Sequence, residues 1–333
     1  MRPPKNVVKN LISVFKKHGH NLPVLPLLLS LLAVLPVVVV SSAIFTPTLD
    51  IWLHLGRTLL PEITRNTLLL LAGVGTGTLL LGVGLAWIVT AYSFPGRRVL
   101  EWALMLPMAV PAYVKAFVFM AIFDFAGPVQ SFLRQHVSAT AWFPEIRSGT
   151  GAIVVMTLVL YPYVYLLAKA GFREQSGGLV EAARVMGYGP AAVFVKVILP
   201  LARPSIAAGV TLAMMEALAD FATVRFLNFP TLSDGVIRVW HGLMDLRAAS
   251  ELAGLLAMAA FVLLLLEHRL RGRTRYFQTG GRSPGITPVK LRGWRSFLAA
   301  ATCLLVVAAA FVLPVAQLIS WSVKELLHQR SEE

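Results

Sequence analysis

Glu216 and Asp220 stand four residues apart in an apolar run covering 205–224. In a continuous helix that spacing puts both carboxylates on one face. A carboxylate in hydrocarbon is costly, so two readings stay open. The pair lines a polar path suited to a cationic solute such as Fe(III), or it sits near the end of the run, pairing with Arg225 or capping loop structure. Lys115 also lies inside an apolar run, as a pathway residue or as the partner of a carboxylate in the bundle. Tyr161, Tyr163 and Tyr165 are assigned to helix packing. Other chemistries find no residues to carry them. His18 and His20 are the only close pair among seven histidines, and the single cysteine, Cys303, lies in an apolar block. No metal set and no internal disulfide is expected. No Gly-rich loop ends in Lys-Ser/Thr, so nucleotide hydrolysis has no site here, and no nucleophile–base pair occurs at usable spacing.

The elements that position these residues follow from composition. Hydrophobic residues make up 57% of the 333 and charged residues 14%, against roughly half and a quarter in soluble domains. The apolar residues gather into seven blocks, 22–44, 66–92, 99–123, 151–172, 205–224, 249–267 and 297–321, each about long enough to cross ~30 Å of hydrocarbon as a helix. Open sheets leave edge groups unpaired in lipid, so the expected fold class is all-α, a polytopic membrane helix bundle. The first block is too long for a cleaved leader. Twenty of the thirty Lys and Arg fall in 1–21, 93–98, 169–203 and 268–295, and seven in 45–65, 124–149 and 225–248. That imbalance places the N-terminus in the cytoplasm and accounts for the net charge of +14 without nucleic acid. Trp52, Trp142 and Trp240 fall in the opposite loops, as interface residues do. Pro107, Pro111 and Pro162 interrupt spans, and Gly73, Gly75, Gly77, Gly82 and Gly84 offer a small-residue face for close helix approach.

One loop on the basic side is long and moderately apolar. It reads Glu181-Ala182-Ala183, three residues, Gly187, nine residues, Val197, one residue, Leu199-Pro200. Gly178 to Met186 suits a short helix with Leu179, Ala182, Ala183 and Met186 on one stripe. Gly187 to Pro190 is a turn, with Pro190 fit to begin a second helix. Glu181, Arg184 and Lys196 are its charges. This spacing resembles the EAA loop of binding-protein-dependent ABC-importer permeases, departing only at Val197, where the pattern has Ile. The resemblance implies a type I importer permease fold with a cytoplasmic coupling helix that docks into an ATPase subunit. Glu181, Ala182, Ala183, Gly187, Val197, Leu199 and Pro200 would form the coupling loop. It also implies that this chain binds no cofactor, ATP and Mg being used by the ATPase, and that a periplasmic solute-binding protein and a second permease half, or a homodimer partner, complete the assembly in a bacterial inner membrane.

Further strings narrow the resemblance. Glu216-Ala-Leu-Ala-Asp220-Phe221, Trp240-His241-Gly242-Leu243-Met244-Asp245, Arg273 to Thr279 and Leu291 to Arg295 are similar to the ferric-iron branch, over residues 55 to 320. Relatives for thiamine, polyamines or phosphonates share parts of these strings. That branch often fuses two halves in one chain. On this reading, 1–21 is a cytoplasmic segment, 22–267 the permease domain with its loop at 181–200, and 268–296 a basic linker. The stretch 297–333 is then the first helix of a second half, apparently truncated. A secondary transporter is the competing class, and no inverted repeat supports it.

Overall fold

The computed structural model describes residues 24–43, 49–136, 144–174, 177–271 and 288–332. His18, His20, Trp142 and most of the 268–296 linker lie outside the described residues. The rest is helical: α1 Val24–Ala43, α2 Leu49–Thr58, α3 Leu60–Ala91, α4 Arg97–Ala103, α5 Ala112–Phe123, α6 Pro128–His136 and α7 Gly149–Arg173. After the loop helix α8 Gly177–Val185 come α9 Pro190–Leu201, α10 Arg203–Ala219, α11 Phe221–Phe226, α12 Leu232–Leu243, α13 Leu246–Arg271 and α14 Trp294–Arg330. Two-residue strands β1 Tyr92–Ser93 and β2 Val289–Lys290 pair in parallel, tying the start of α14 to the end of α3.

Among the described residues five helices are long and apolar enough to cross a membrane: α3, Ala112–His136, α7, Leu246–Leu270 and α14. The pair α9 and α10, bent by 70°, is long and apolar enough to make a sixth if the two are taken as one span. The first predicted block is the helix α1, apolar over Leu28–Val40. The third predicted block, 99–123, is not one continuous helix. It breaks into α4, a 3-10 turn at Leu106–Ala109, and α5. Its ends nevertheless lie flush with α7. Glu101 pairs with Lys169 and Arg173 at one end, and Asp124 with Arg147 at the other. The helix from Gly149 to Lys169 rises about 30 Å at ~1.5 Å per residue, the thickness of a hydrocarbon core.

Prolines set the other irregularities. Both five-residue π-helical stretches, Phe194–Ile198 and Ala308–Val312, run straight into a Leu-Pro pair, Leu199-Pro200 and Leu313-Pro314. A proline within a helix has no N–H to give the carbonyl four residues back and crowds it. Widening the preceding turn relieves that clash while keeping the chain helical, and Leu199 N–H and Leu313 N–H each bond five residues back.

Small residues bring the central helices together. The broadest contact is between α3 and α7, with α10 packed on both. Gly73, Gly77 and Gly82 of α3 face α7 so closely that a Cβ at each would lie within 2.9 Å of Ile153, Thr157 or Val164. With little hydrophobic drive between helices in lipid, such backbone approach supplies the packing. The core behind it includes Val74, Ala86, Met156, Tyr161, Tyr165 and Phe172. At the opposite end from the 174–202 loop, Leu55, Ile63, Val239 and Leu252 form a second cluster. There Asn66 donates to Pro230 O at 2.9 Å, and Thr67 accepts from Leu232 N–H at 2.9 Å.

This packing discriminates between glycines on one helix. A Cβ at position 82 meets Val164 Cβ at 2.7 Å and the Tyr165 backbone at 2.9 Å, whereas one at 84 meets nothing within 4 Å. Gly82→Val is expected to destabilise the folded protein by about 1–3 kcal/mol, and Gly84→Ala to change it by less than about 1 kcal/mol. Thermal unfolding in detergent, followed by dye labelling of the buried Cys303 thiol, measures both. Equal midpoints for the two variants would refute the close α3–α7 contact.

Candidate functional site

The 174–202 loop folds as the expected helix–turn–helix. α8 ends in a tight glycine cap: Tyr188 N–H donates to Ala183 O at 3.1 Å, Met186 N–H to Ala182 O at 3.0 Å, and Gly187 has φ +84°. That left-handed conformation is cheap for glycine and strained for residues with a Cβ. Pro190 opens α9 where its missing N–H is harmless, with Gly189 before it. The expected stripe on α8 divides. Ala183 is buried, while Ala182 is exposed and Met186 is 71% exposed; Val185, beside it, is 89% exposed. The side chains of Leu179 and Arg184 lie outside the described residues. One alanine thus anchors the helix to the bundle, and an apolar surface beside the exposed Glu181 faces away from it.

The second arm seats the loop. Val193 and Ile198 are buried in the core, and Val197, Leu199 and Pro200 are half-buried. Lys196 lies over the Tyr188 ring at 5.3 Å. Tyr188 and Pro190 also line a cavity of about 690 Å³ with Ile88, Val289, Leu291 and Leu298, so the loop, the end of α3 and the start of α14 share one wall.

Glu216 and Asp220 do not form a two-carboxylate helix face. α10 ends at Ala219, and Asp220 leaves the helix at φ −80°, ψ 100°. Its carboxylate caps α11 instead, accepting from Thr223 N–H at 2.9 Å and Thr223 Oγ1 at 2.5 Å. The physical reason is local: an aspartate able to take two bonds at a helix start competes with continuing the previous helix. Glu216 remains exposed on α10. Lys115 is fully buried, and its ammonium donates to the Pro107 carbonyl, so it is directed at backbone rather than at open space. The structure therefore does not gather Glu216, Asp220 and Lys115 into one site.

The structure instead gathers residues that packing arguments passed over. Tyr161 and Tyr165 are fully buried, and their hydroxyls donate to Leu104 O at 2.9 Å and Glu101 O at 2.8 Å. Lys169 Nζ reaches Glu101 Oε1 at 3.1 Å, and Arg173 bonds the same oxygen. The recurrence of polar-tipped residues at 161, 165, 169 and 173 was the available signal, since that spacing makes one row on a helix. Among the described residues, no group of three or more His, Cys, Asp or Glu could hold a metal ion.

Comparison with known proteins agrees with this fold. The chain is 26% identical over 271 residues to the Fe(3+)-transport system permease protein FbpB 2 of Haemophilus influenzae, covering 80% of this chain and 49% of that one. It thus spans about half the length of that relative. It is 29% identical over 197 residues to the sulfate transport system permease protein CysT of Salmonella typhimurium, covering 58% and 69%. A crystal structure of a bacterial alginate ABC transporter, in complex with an alginate pentasaccharide-bound periplasmic protein, superposes with a TM-score of 0.60 at 16% identity, over 81% of this chain and 96% of that one. Residues 78–267 match the family model described as binding-protein-dependent transport system inner membrane component. That match takes in more than half of the 333 residues, and the chain belongs to this family, the integral membrane permeases of ABC importers.

Proposed function

We propose that this chain forms part of the translocation path of an ATP-driven importer and couples to a separate ATPase through α8. One observation carries the reading. At the end of α8 the apolar Val185 and Met186 stand out from the fold beside Ala182 and Glu181, on a helix whose glycine cap fixes its angle. An apolar surface of this kind, next to a charge, fits a protein cleft better than water. Glu181, Ala182, Ala183 and Gly187 stand in the order of an EAA loop, with Val197, Leu199 and Pro200 completing it. The ATPase would use ATP and Mg, and this chain would supply movement alone. The excess of Lys and Arg in 1–21 and 169–203 supports a cytoplasmic position for residues 1–21 and the 174–202 loop.

The proposed solute is ferric iron delivered by a periplasmic binding protein. Its support is the likeness to an Fe(3+)-transport permease over 80% of this chain. The sulfate-transport relative favours an oxyanion as the second reading. Selection by the binding protein would let one permease scaffold serve either. Because 271 aligned residues make up only 49% of the iron-transport relative, we also propose that 268–296 and α14 lead into a second permease half. A second copy of this chain is the alternative way to enclose the path.

Two experiments test this. Val185→Asp with Met186→Asp, or Glu181→Lys, is expected to weaken co-purification with the ATPase by about tenfold or more, with membrane insertion unchanged. Gly187→Val should do the same by straining the cap at about 1–2 kcal/mol. Undiminished co-purification in all three would remove the docking role from α8. For the solute, cells with and without the intact gene are compared for uptake of radiolabelled Fe(III) and of sulfate. A gene-dependent iron signal supports the iron reading; gene-dependent sulfate uptake without one replaces it.

A further inference from the structure

The third span is broken where backbone carbonyls lose their helical partners. In a continuous helix Glu101 O would take Met105 N–H, and Leu104 O would take Met108 N–H. Here Met105 N–H bonds Trp102 O at 3.0 Å, and Met108 N–H bonds Met105 O at 3.1 Å. Pro107 O would take the N–H of residue 111, which as proline has none. Three carbonyls, three residues apart, are thereby released inside the bundle. Tyr165, Tyr161 and Lys115 meet them, each side chain fully buried. Two of the three come from α7, and the same helix face continues to Lys169 and Arg173, which both hold the Glu101 carboxylate. Glu101 and Lys169 side chains are only 16% and 14% exposed, so this pair is shielded from the solvent that weakens surface ion pairs.

The position of this row on the chain gives it a mechanical meaning. Arg173 is the last residue of α7, and α8 begins at Gly177. On the other side of the loop, α9 reaches α10 through a π-helical stretch, Pro200 and a 70° bend, a compliant joint. α7 itself is one continuous helix as far as Arg173; its internal proline, Pro162, lies toward the far end of the row. Displacement that reaches Arg173 therefore has a straight route along α7, whereas the route along α9 is bent.

We propose that Tyr161, Tyr165, Lys169 and Arg173, closed on residues 101–104, are positioning residues that carry displacement of the 174–202 loop into the broken third span. This rests on the reading of α8 as the ATPase-docking helix. The row does not touch solute. It makes the segment between α4 and α5 follow α7, where the segment's own hydrogen bonds would leave it free to lag.

The test uses the full chain in vesicles together with the ATPase that co-purifies with it. An environment-sensitive dye is placed on Tyr113→Cys, an exposed position in α5, in a Cys303→Ser background, and its emission is followed on addition of ATP. The parent is expected to respond. Tyr161→Phe with Tyr165→Phe, which removes two hydroxyls and little volume, should cut the amplitude by about threefold or more, as should Glu101→Gln. ATPase binding and the rate of hydrolysis should stay within about twofold. Glu101→Lys combined with Lys169→Glu puts an acid back between two cations and should recover much of the signal. An unchanged amplitude in the variants overturns the proposal. So does a loss that tracks lost folded protein or lost hydrolysis, which a purely structural row would give, and so does a parent that binds ATPase but shows no response. If the parent fails to bind ATPase at all, the docking reading falls first and this proposal with it.

Discussion

In hydrocarbon a backbone carbonyl without a donor has no water to turn to, and leaving one buried and unpaired costs about 1–3 kcal/mol. Three irregular features of this bundle, the two π-helical stretches and the break in the third span, can be traced to how that debt is met beside a proline. Where Leu-Pro follows an otherwise helical run, the chain widens by one residue and finds the donor within itself, as at 194–198 and 308–312. Where prolines come close together, at 107 and 111, widening is not enough. The helix opens, and donors must come from side chains, two from a neighbouring helix and one from Lys115. The first solution is local and leaves the helix independent. The second binds one span to another, and so creates a mechanical connection that a regular helix would not have.

That distinction explains what could be read from the sequence. Spans depend on the length and hydropathy of a run, which are one-dimensional properties, and six of the seven blocks correspond to crossings or to a bent pair, the other to helix α1. The loop at 181–200 was legible for a similar reason. Its turn needs a glycine at one position and a proline at another, and Gly187 at φ +84° and Pro190 at a helix start meet those needs. The α3 glycines were legible as a small-residue face, although the partner helix was not.

What counting residues left undecided or incomplete shares a cause. Asp220 was open to two readings, a shared helix face with Glu216 or a cap near the end of the run, and its bonds to Thr223 after Ala219 favour the cap. Tyr161 and Tyr165 were assigned to packing and are fully buried in the core, and their hydroxyls in addition bond carbonyls of the broken span. Lys115 was left between a pathway residue and the partner of a carboxylate, and its ammonium donates to a carbonyl. In each case the deciding partner is a backbone group whose availability depends on where a helix breaks. Periodicity presumes an unbroken helix, so it misplaces the residues that sit at breaks.

The position of the breaks bears on how one scaffold serves relatives named for solutes of opposite charge. A path lined by a fixed pair of carboxylates would favour a cation and repel an oxyanion. Here Asp220 is held as a helix cap and Lys115 is held by a backbone carbonyl, so the two are not arranged as a pair of charges. Glu216 alone stays exposed on α10. Likeness to relatives named for Fe(3+) and for sulfate thus goes with a fold in which Asp220 and Lys115 of this chain bond to the backbone at helix breaks.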